Sequence, residues 1–243
     1  MQRNPEASVS TIGTSVSRRE DGRFLTGRGT FVSDLAPRGV AHAVIVRSPH
    51  AHAALSLVDS TRARQMPGVL AILTGMDAAE DGLSSLGIRA LPPNLGGAKA
   101  VWPTRTIIAA DRVRYVGEPV ALVIAESVDA AKDAAEAVGV TYDDLPAATR
   151  VDDAVSEEAA TIWDNAPDNV SFTHTVGNPE RVAEVFETAH HVVDVEITNN
   201  RISANPIEPR GAIGTYDPME NRFTLRTSTQ TPHRVREILA DSV

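Results

Sequence analysis

The sequence predicts a mixed α/β fold of the α+β type, because strand-like apolar runs and amphipathic helical stripes occur along one chain of 243 residues. The clearest run is PVALVIA (119–125), after which Ser127 can cap a helix with an alanine stripe, and VGVTY (138–142) follows as a strand. A second helix is predicted to begin at Asn178, and the stretches GAIGTYD and RFTLRTS indicate a hairpin across PMEN. These patterns predict two successive domains that each contain helices and strands.

Further elements are predicted around these units. Apolar runs and alternating patterns indicate strands at GVAHAVIVRS (39–48), from Leu55 onward, at VLAILT (69–74) and over 191–198. Residues 75–105 are rich in glycine and proline and have no period, which predicts an irregular loop that covers a partner or a site. The helix after Asn178 is expected to bury Val182, Val185, Phe186 and Ala189, which share one face.

Composition and charge exclude several classes of function. The chain has no cysteine, which excludes disulfides, thiolate zinc sites, cysteine nucleophiles and iron–sulfur clusters held by this chain alone. The net charge is −9, and residues 126–196 carry seventeen acidic against three basic residues, which argues against nucleic acid as a partner. No run approaches the ~20 apolar residues that span a bilayer, and Arg18–Arg19 is followed by acidic residues instead of an apolar export segment. We therefore expect a cytoplasmic protein.

The residues by themselves form no catalytic constellation. No nucleotide-binding glycine fingerprint and no GxSxG nucleophile motif is present. His50 and His52 would face the same way on a strand and could supply two metal ligands, but no third ligand follows at motif spacing. Structural or surface histidines are therefore the expected interpretation. His190 and His191 would point to opposite faces of the predicted strand, so at most one of them could serve a site.

Three stretches of the sequence resemble one enzyme family. The first comprises RREDGRFLTGRGTFVSDL, VRSPHAHA, PGVLAILTGMD, DRVRYVGEPVALVIAES and YDDLPA, in that order. The second is NPIEPRGAIGTYD (205–217), and the third is STQTPHRVREILA near the end. From about Arg18 onward, the chain resembles the N-terminal portion of the large, molybdopterin-binding subunit of the xanthine dehydrogenase, aldehyde oxidase and carbon monoxide dehydrogenase family.

The resemblance implies a domain plan. Residues 18–147 would form the α/β hammerhead domain, and residues 165–243 would form the first, incomplete part of the molybdopterin-binding domain. Residues 148–164 would be a linker between the two domains. Residues 1–17 are polar and rich in serine and threonine, which predicts a flexible N-terminal arm.

The resemblance also implies one cofactor-binding residue and no catalytic residue or metal ligand in this chain. Within STQ, Gln230 corresponds to the family glutamine whose side-chain amide contacts the molybdenum centre. An amide can donate a hydrogen bond to an oxygen held by the metal without adding charge. The local sequence alone favours a polar residue that closes a turn, so the family motif carries this assignment.

The implied function is that of a molybdenum hydroxylase-type oxidoreductase. Such enzymes insert water-derived oxygen into an aldehyde, an N-heterocycle or a carbon monoxide-like substrate, and electrons pass to 2Fe-2S clusters and FAD on small and medium partner subunits. The family's GGGFG-type loop and its late catalytic glutamate are absent from the chain. We therefore expect a fragment or split subunit, inactive and cofactor-free alone, that combines with the remainder of the large subunit on another chain. The alternative is a non-catalytic remnant or interaction module that folds without cofactor.

The last predicted helix has an apolar stripe that needs tertiary packing. Thr231 and Pro232 fit its N-cap and first position, and Val235, Ile238 and Leu239 form its apolar stripe. A helix of about twelve residues is marginal in water without tertiary packing. We expect this helix to fray in the isolated chain and to become protected when a partner chain covers the stripe.

Overall fold

The computed structural model describes residues 12–35, 37–83, 85–86, 100–174, 176–200 and 202–242. The strands are β1 His42–Arg47, β2 Ala53–Asp59, β3 Val69–Thr74, β4 Arg112–Val113, β5 Pro119–Ala125, β6 Gly139–Asp144, β7 Ala212–Asp217 and β8 Arg222–Thr227. The helices are α1 Asp21–Leu25, α2 Thr61–Arg64, α3 Gly75–Glu80, α4 Val128–Glu136, α5 Val151–Ala154, α6 Pro179–Thr188 and α7 Pro232–Ser242, with a 3-10 turn at Val32–Asp34. Helices and strands alternate irregularly along the chain, which confirms the predicted mixed α/β class.

The chain divides into two compact units. One unit is built from Met1–Arg38 with Ile202–Ser228, and the other from Gly39–Arg201 with Thr229–Val243. Residues 1–11 of the predicted N-terminal arm lie outside the described residues, as do residue 84 and residues 87–99 of the predicted loop. None of the described helices has the length and apolar character needed to cross a membrane.

The larger unit contains two antiparallel sheets, with strand orders β1-β5-β3 and β4-β2-β6. In the first sheet, Leu122 of β5 is paired with Ile45 on one side and Leu73 on the other. The predicted strand–helix–strand unit is present as β5, α4 and β6, but its two strands belong to different sheets. The helix therefore connects two sheets and does not cross over within a single parallel one.

Strand β5 is buried on both faces because it lies between two apolar clusters. Ala121 and Val123 face a cluster that includes residues of α4 and β3, whereas Val120 faces a second cluster with Val113. Helix α4 packs against β1 and β5. Its predicted cap is confirmed, since the Ser127 hydroxyl accepts a hydrogen bond from the Ala130 N–H at 3.1 Å.

The predicted irregular loop begins with a helix, which is a correction. Helix α3 starts at Gly75 after a capping box, in which Thr74 and Asp77 each accept a hydrogen bond from the other's backbone N–H. A side chain at Gly75 would collide with the backbone carbonyl of Ala109, so this position requires glycine for close packing. The glycine-rich composition concealed a helix whose first residue must be small.

The segment that follows β6 is ordered by its own polar contacts. Asn169 has φ of 56°, and its side-chain amide donates to the carbonyl oxygens of Ala154 and Ala160, both at 2.9 Å. Its side-chain oxygen accepts from the Ile162 N–H at 3.1 Å. Asparagine tolerates this left-handed conformation better than most residues, so one side chain holds the segment in place.

The smaller unit is organised around the predicted hairpin, which is confirmed. Strands β7 and β8 pair from Ala212 with Thr227 to Asp217 with Arg222, and Tyr216 packs on Phe223 with ring centroids 4.6 Å apart. The Glu208 carboxylate accepts a hydrogen bond from the Val32 N–H at 3.1 Å. This contact joins residues that are 176 positions apart in the sequence.

The predicted strand over 191–198 is wrong, and the predicted burial of the α6 face is wrong as well. Residues 191–198 pair with no described strand, and Val193, Val195 and Ile197 are 72–81% exposed. An alternating pattern identifies two faces, but a strand is stable only when its backbone groups pair with a neighbour.

On α6, Val182, Val185 and Phe186 stay 52–58% exposed. The Asn178 cap itself is confirmed, because its side chain accepts from the Arg181 N–H at 2.9 Å.

Candidate functional site

Gln230 lies in the short connection between β8 and α7. Its side chain is exposed and makes no hydrogen bond to any described residue. The neighbouring backbone is held locally, because the Thr229 hydroxyl accepts from the Thr231 N–H at 3.2 Å. The amide of Gln230 is therefore presented on an ordered turn with its donors and its acceptor both available.

Helix α7 begins directly after this turn. Pro232 is its first residue, and the Val235 N–H donates to the Thr231 carbonyl oxygen at 3.0 Å, which confirms the predicted start. Val235 and Ile238 are half-buried, while Leu239 is 39% exposed. The apolar stripe is thus partly covered within the described residues.

Gln230 presents one free side-chain amide at this connection. A free amide N–H can donate to an acceptor atom of a bound group without bringing a charge, and a strand-to-helix connection is a common location for such contacts. No group of three or more histidine or acidic side chains within the described ranges is placed to hold a metal ion.

His50 and His52 lie in the connection between β1 and β2, so the strand geometry in which they could act as a metal pair is not present. The two side chains have separate partners: His50 Nδ1 is 2.6 Å from Asp144 Oδ1, and His52 Nδ1 donates to the Pro146 carbonyl oxygen at 2.6 Å. The His50 ring also packs on Tyr142, with centroids 4.4 Å apart. His190 and His191 contact each other edge to face at 5.1 Å on exposed, non-strand backbone.

Glu118 is a buried acid that the sequence analysis did not single out. It is 6% exposed, its carboxylate accepts from the Arg114 N–H, and its own backbone N–H donates to the Tyr115 carbonyl oxygen at 3.2 Å. Burial raises the pKa of the Glu118 carboxyl, and the backbone N–H of Arg114 opposes this shift. The sequence feature that could have identified Glu118 is its position directly before the apolar strand β5, where an acidic residue interrupts an otherwise uncharged stretch.

Two family descriptions match the chain. Residues 26–146 match the aldehyde oxidase and xanthine dehydrogenase a/b hammerhead domain, and residues 162–243 match the molybdopterin cofactor-binding domain. The chain is 38% identical to the nicotine 6-hydroxylase large subunit of Paenarthrobacter nicotinovorans over 238 residues. It is 32% identical to the carbon monoxide dehydrogenase large chain of Hydrogenophaga pseudoflava over 247 residues. The chain belongs to the xanthine dehydrogenase and aldehyde oxidase family. This confirms the family, the hammerhead fold and the molybdopterin-binding fold that the motifs predicted.

The match covers nearly all of this chain but a minor part of its relatives. The alignments span 98% and 97% of the chain, and 28% and 29% of the two relatives. The names of these relatives describe large subunits of proteins with several subunits, which supports partner subunits for the family in general.

Solved structures of the family agree in fold. Quinoline 2-oxidoreductase from Pseudomonas putida 86 superposes with a TM-score of 0.77 at 36% identity, over 95% of this chain and 28% of that one. The aldehyde oxidoreductase of Desulfovibrio gigas superposes with a TM-score of 0.78 at 28% identity, over 93% of this chain and 24% of that one. Both resemble this chain in sequence as well as in fold.

Proposed function

We propose that this chain supplies the hammerhead domain and the first part of the molybdopterin-binding domain to a molybdenum hydroxylase-type oxidoreductase. In this proposal the substrate is an aldehyde, an N-heterocycle or a carbon monoxide-like molecule. When bound, the molybdenum cofactor supplies the two-electron acceptor for oxidation with water-derived oxygen. The domain plan that we propose is the hammerhead over 18–147, a linker over 148–164 and the cofactor-binding part over 165–243.

The observation that carries the proposal is the free amide of Gln230 at the β8–α7 connection. It lies within the segment that matches the cofactor-binding domain, and no described residue occupies its donors. Its role is to donate a hydrogen bond to an acceptor atom of the cofactor and so to orient it. Exposure of this amide costs nothing in the isolated chain, because water satisfies it until the cofactor replaces the water.

The exposed apolar side chains are consistent with partners that complete the protein. The face of α6 and the segment 191–198 place valine, isoleucine and phenylalanine side chains at the surface. We propose that the remainder of the large subunit covers them, and that FAD-binding and 2Fe-2S subunits complete the electron path. We further propose a cytoplasmic location, which cell fractionation with a tagged chain would test.

The experiment is cofactor analysis of the assembly that contains this chain. The chain is tagged in its native cells, isolated gently with its partners, and assayed for molybdenum and for oxidised pterin fluorescence. We expect close to one molybdenum and one pterin per tagged chain. The matched control is the 243-residue chain made alone, for which we expect neither. An intact assembly without molybdenum and pterin would contradict the proposal and favour the non-catalytic interaction module.

A further inference from the structure

The turn between β4 and β5 carries two large side chains that are exposed to solvent. Tyr115 and Val116, which form its tip, are 54% and 65% exposed. The Tyr115 hydroxyl makes no hydrogen bond to any described residue. Turns are usually formed by small or polar residues, and neither tip residue belongs to the two core clusters of the larger unit. Folding of this chain therefore does not explain the two side chains.

Several hydrogen bonds fix the backbone of this turn. The Glu118 N–H donates to the Tyr115 carbonyl oxygen at 3.2 Å, and Gly117 has φ of 90°, a conformation that glycine adopts without strain. The Gly117 N–H donates to the Ser48 carbonyl oxygen at 2.7 Å, and the Ser48 N–H donates to the Glu118 carbonyl oxygen at 2.9 Å. The Arg47 guanidinium donates to the Gly117 carbonyl oxygen at 2.8 Å. The tip is thus held in one conformation, which reduces the entropy that binding would cost.

The buried acid Glu118 closes the base of the same turn. Its carboxylate accepts from the Arg114 N–H, so it joins the end of the turn to the residue that precedes it. Because the side chain is only 6% exposed, this contact is shielded from water and holds the turn from the inside. Glu118 therefore acts as a positioning residue for the tip.

Arginine side chains flank the tip. Burial raises the pKa of the Tyr115 hydroxyl, and the nearby charges of Arg105 and Arg47 lower it in part. Both arginines are exposed, and neither forms an ion pair with a described acid. The whole chain has a net charge of −9, so this local positive charge is a property of the turn and not of the chain. Tyrosine and arginine are the residue types that most often carry binding energy in protein interfaces.

We propose that this turn docks onto an acidic surface of a partner subunit in the assembly. Tyr115 and Val116 enter an apolar depression of that subunit, and acidic side chains around the depression face Arg47 and Arg105. Opposite charges at the rim fix the orientation and select the partner. The inference rests on the proposed function only in that the assembly contains other subunits, and it does not depend on the cofactor.

The chain has no cysteine, so a single introduced thiol can report on the tip. Val116→Cys places the thiol at the tip, and the control Val155→Cys places it at a position of similar exposure, 62%. Each tagged variant is treated with a maleimide, alone and in the assembly isolated from its native cells, and mass spectrometry measures the labelling of this chain. We expect labelling of Val116→Cys to be at least about tenfold slower in the assembly, because only the undocked fraction reacts. Val155→Cys should react at a similar rate in both samples.

A charge reversal tests the arginine rim. Arg105→Glu in the Val116→Cys chain should restore fast labelling in the assembly, and raised salt should act in the same direction. Arg150→Glu, which alters an exposed arginine paired with Asp152 and Asp153, should leave the protection unchanged.

The partner is identified by photo-cross-linking from p-benzoylphenylalanine placed at position 115. We expect a cross-link to an acidic segment of another subunit. A cross-link to a second copy of this chain or to a basic segment would overturn the proposal. Unchanged labelling of Val116→Cys in the assembly, equal slowing at both thiol positions, or full protection in Arg105→Glu would overturn it as well.

Molybdenum analysis of the same samples separates this inference from the proposed function. An assembly that contains molybdenum but leaves the Val116→Cys thiol reactive would overturn the docking turn alone. A protected thiol in an assembly without molybdenum would support the docking turn and contradict the proposed oxidoreductase.

Discussion

Asp77 sets the start of α3 through its exchange of hydrogen bonds with Thr74. The Asp77 carboxylate accepts from both the Thr74 hydroxyl and the Thr74 N–H at 2.7 Å. These two hydrogen bonds hold the pKa of the Asp77 carboxyl below its ordinary value of 3.8, and the bond from the Thr74 hydroxyl has the larger effect. A lowered pKa means that the ionised carboxylate contributes stability above pH 3.8 and that this contribution is lost as the pH falls through the folded-state pKa.

We therefore expect Asp77→Asn to lower the free energy of unfolding by about 1 kcal/mol at neutral pH, the usual cost of a helix cap. The difference from wild type should shrink below pH 3.8. Urea unfolding across a pH series measures it, and Asp81→Asn at the other end of the same helix is the control. A difference of the same size at every pH would show that the charge of Asp77 plays no part.

Single residues also mark the limit of what the sequence predicts. The place of Gln230 between a strand and a helix could be predicted, because alternation before it and helical spacing after it are local patterns. The burial of His52 could not, since it depends on Pro146, which is 94 positions away. The same holds for Asn169, whose partners depend on a turn conformation that composition does not reveal.

Secondary-structure elements with a local signal were predicted well. Helices α4 and α6 carry a capping side chain at the predicted residue, and β7 and β8 pair across the predicted turn. The elements that were missed are short: α1, α2, α3, α5 and β4 span two to six residues each. The predicted strand over 191–198 is absent for another reason. Alternation of apolar and polar residues shows which side chains would share a face, but it does not show whether a neighbouring strand is present to pair with.

The apolar stripe of helix α7 is only partly covered, with Leu239 39% exposed, although Ser242 is buried. A helix of 11 residues depends on tertiary packing for most of its stability. We expect the amides of 235–240 to exchange fast in the isolated chain and to become protected in the assembly, as native-state hydrogen exchange would measure. The amides of α4, which packs on β1 and β5, are the internal control. Strong protection of α7 in a partner-free monomer would contradict the expectation.

On the scale of the whole molecule, the chain has buried apolar cores and also apolar surfaces that are exposed to solvent. The cores around β5 are fully buried, whereas α6 and 191–198 expose large apolar side chains. Single apolar side chains at a surface are ordinary, but several on one helix face and one adjoining segment indicate an interaction surface. The chain spans under a third of its relatives' length. In the proposed assembly, the remainder of the large subunit provides the residues that cover this surface.

We propose that Gln230 contacts the molybdenum cofactor in the complete assembly. The measurement that tests it most directly is the Mo(V) EPR spectrum of the cofactor-loaded assembly with Gln230→Ala, beside wild type and the exposed-glutamine control Gln65→Ala. We expect equal molybdenum content in all three, an altered spectrum only in Gln230→Ala, and turnover lowered about 10–100-fold there, because groups that orient a metal's own ligands usually have effects of this size. An unchanged spectrum and unchanged turnover at full molybdenum loading would contradict the claim.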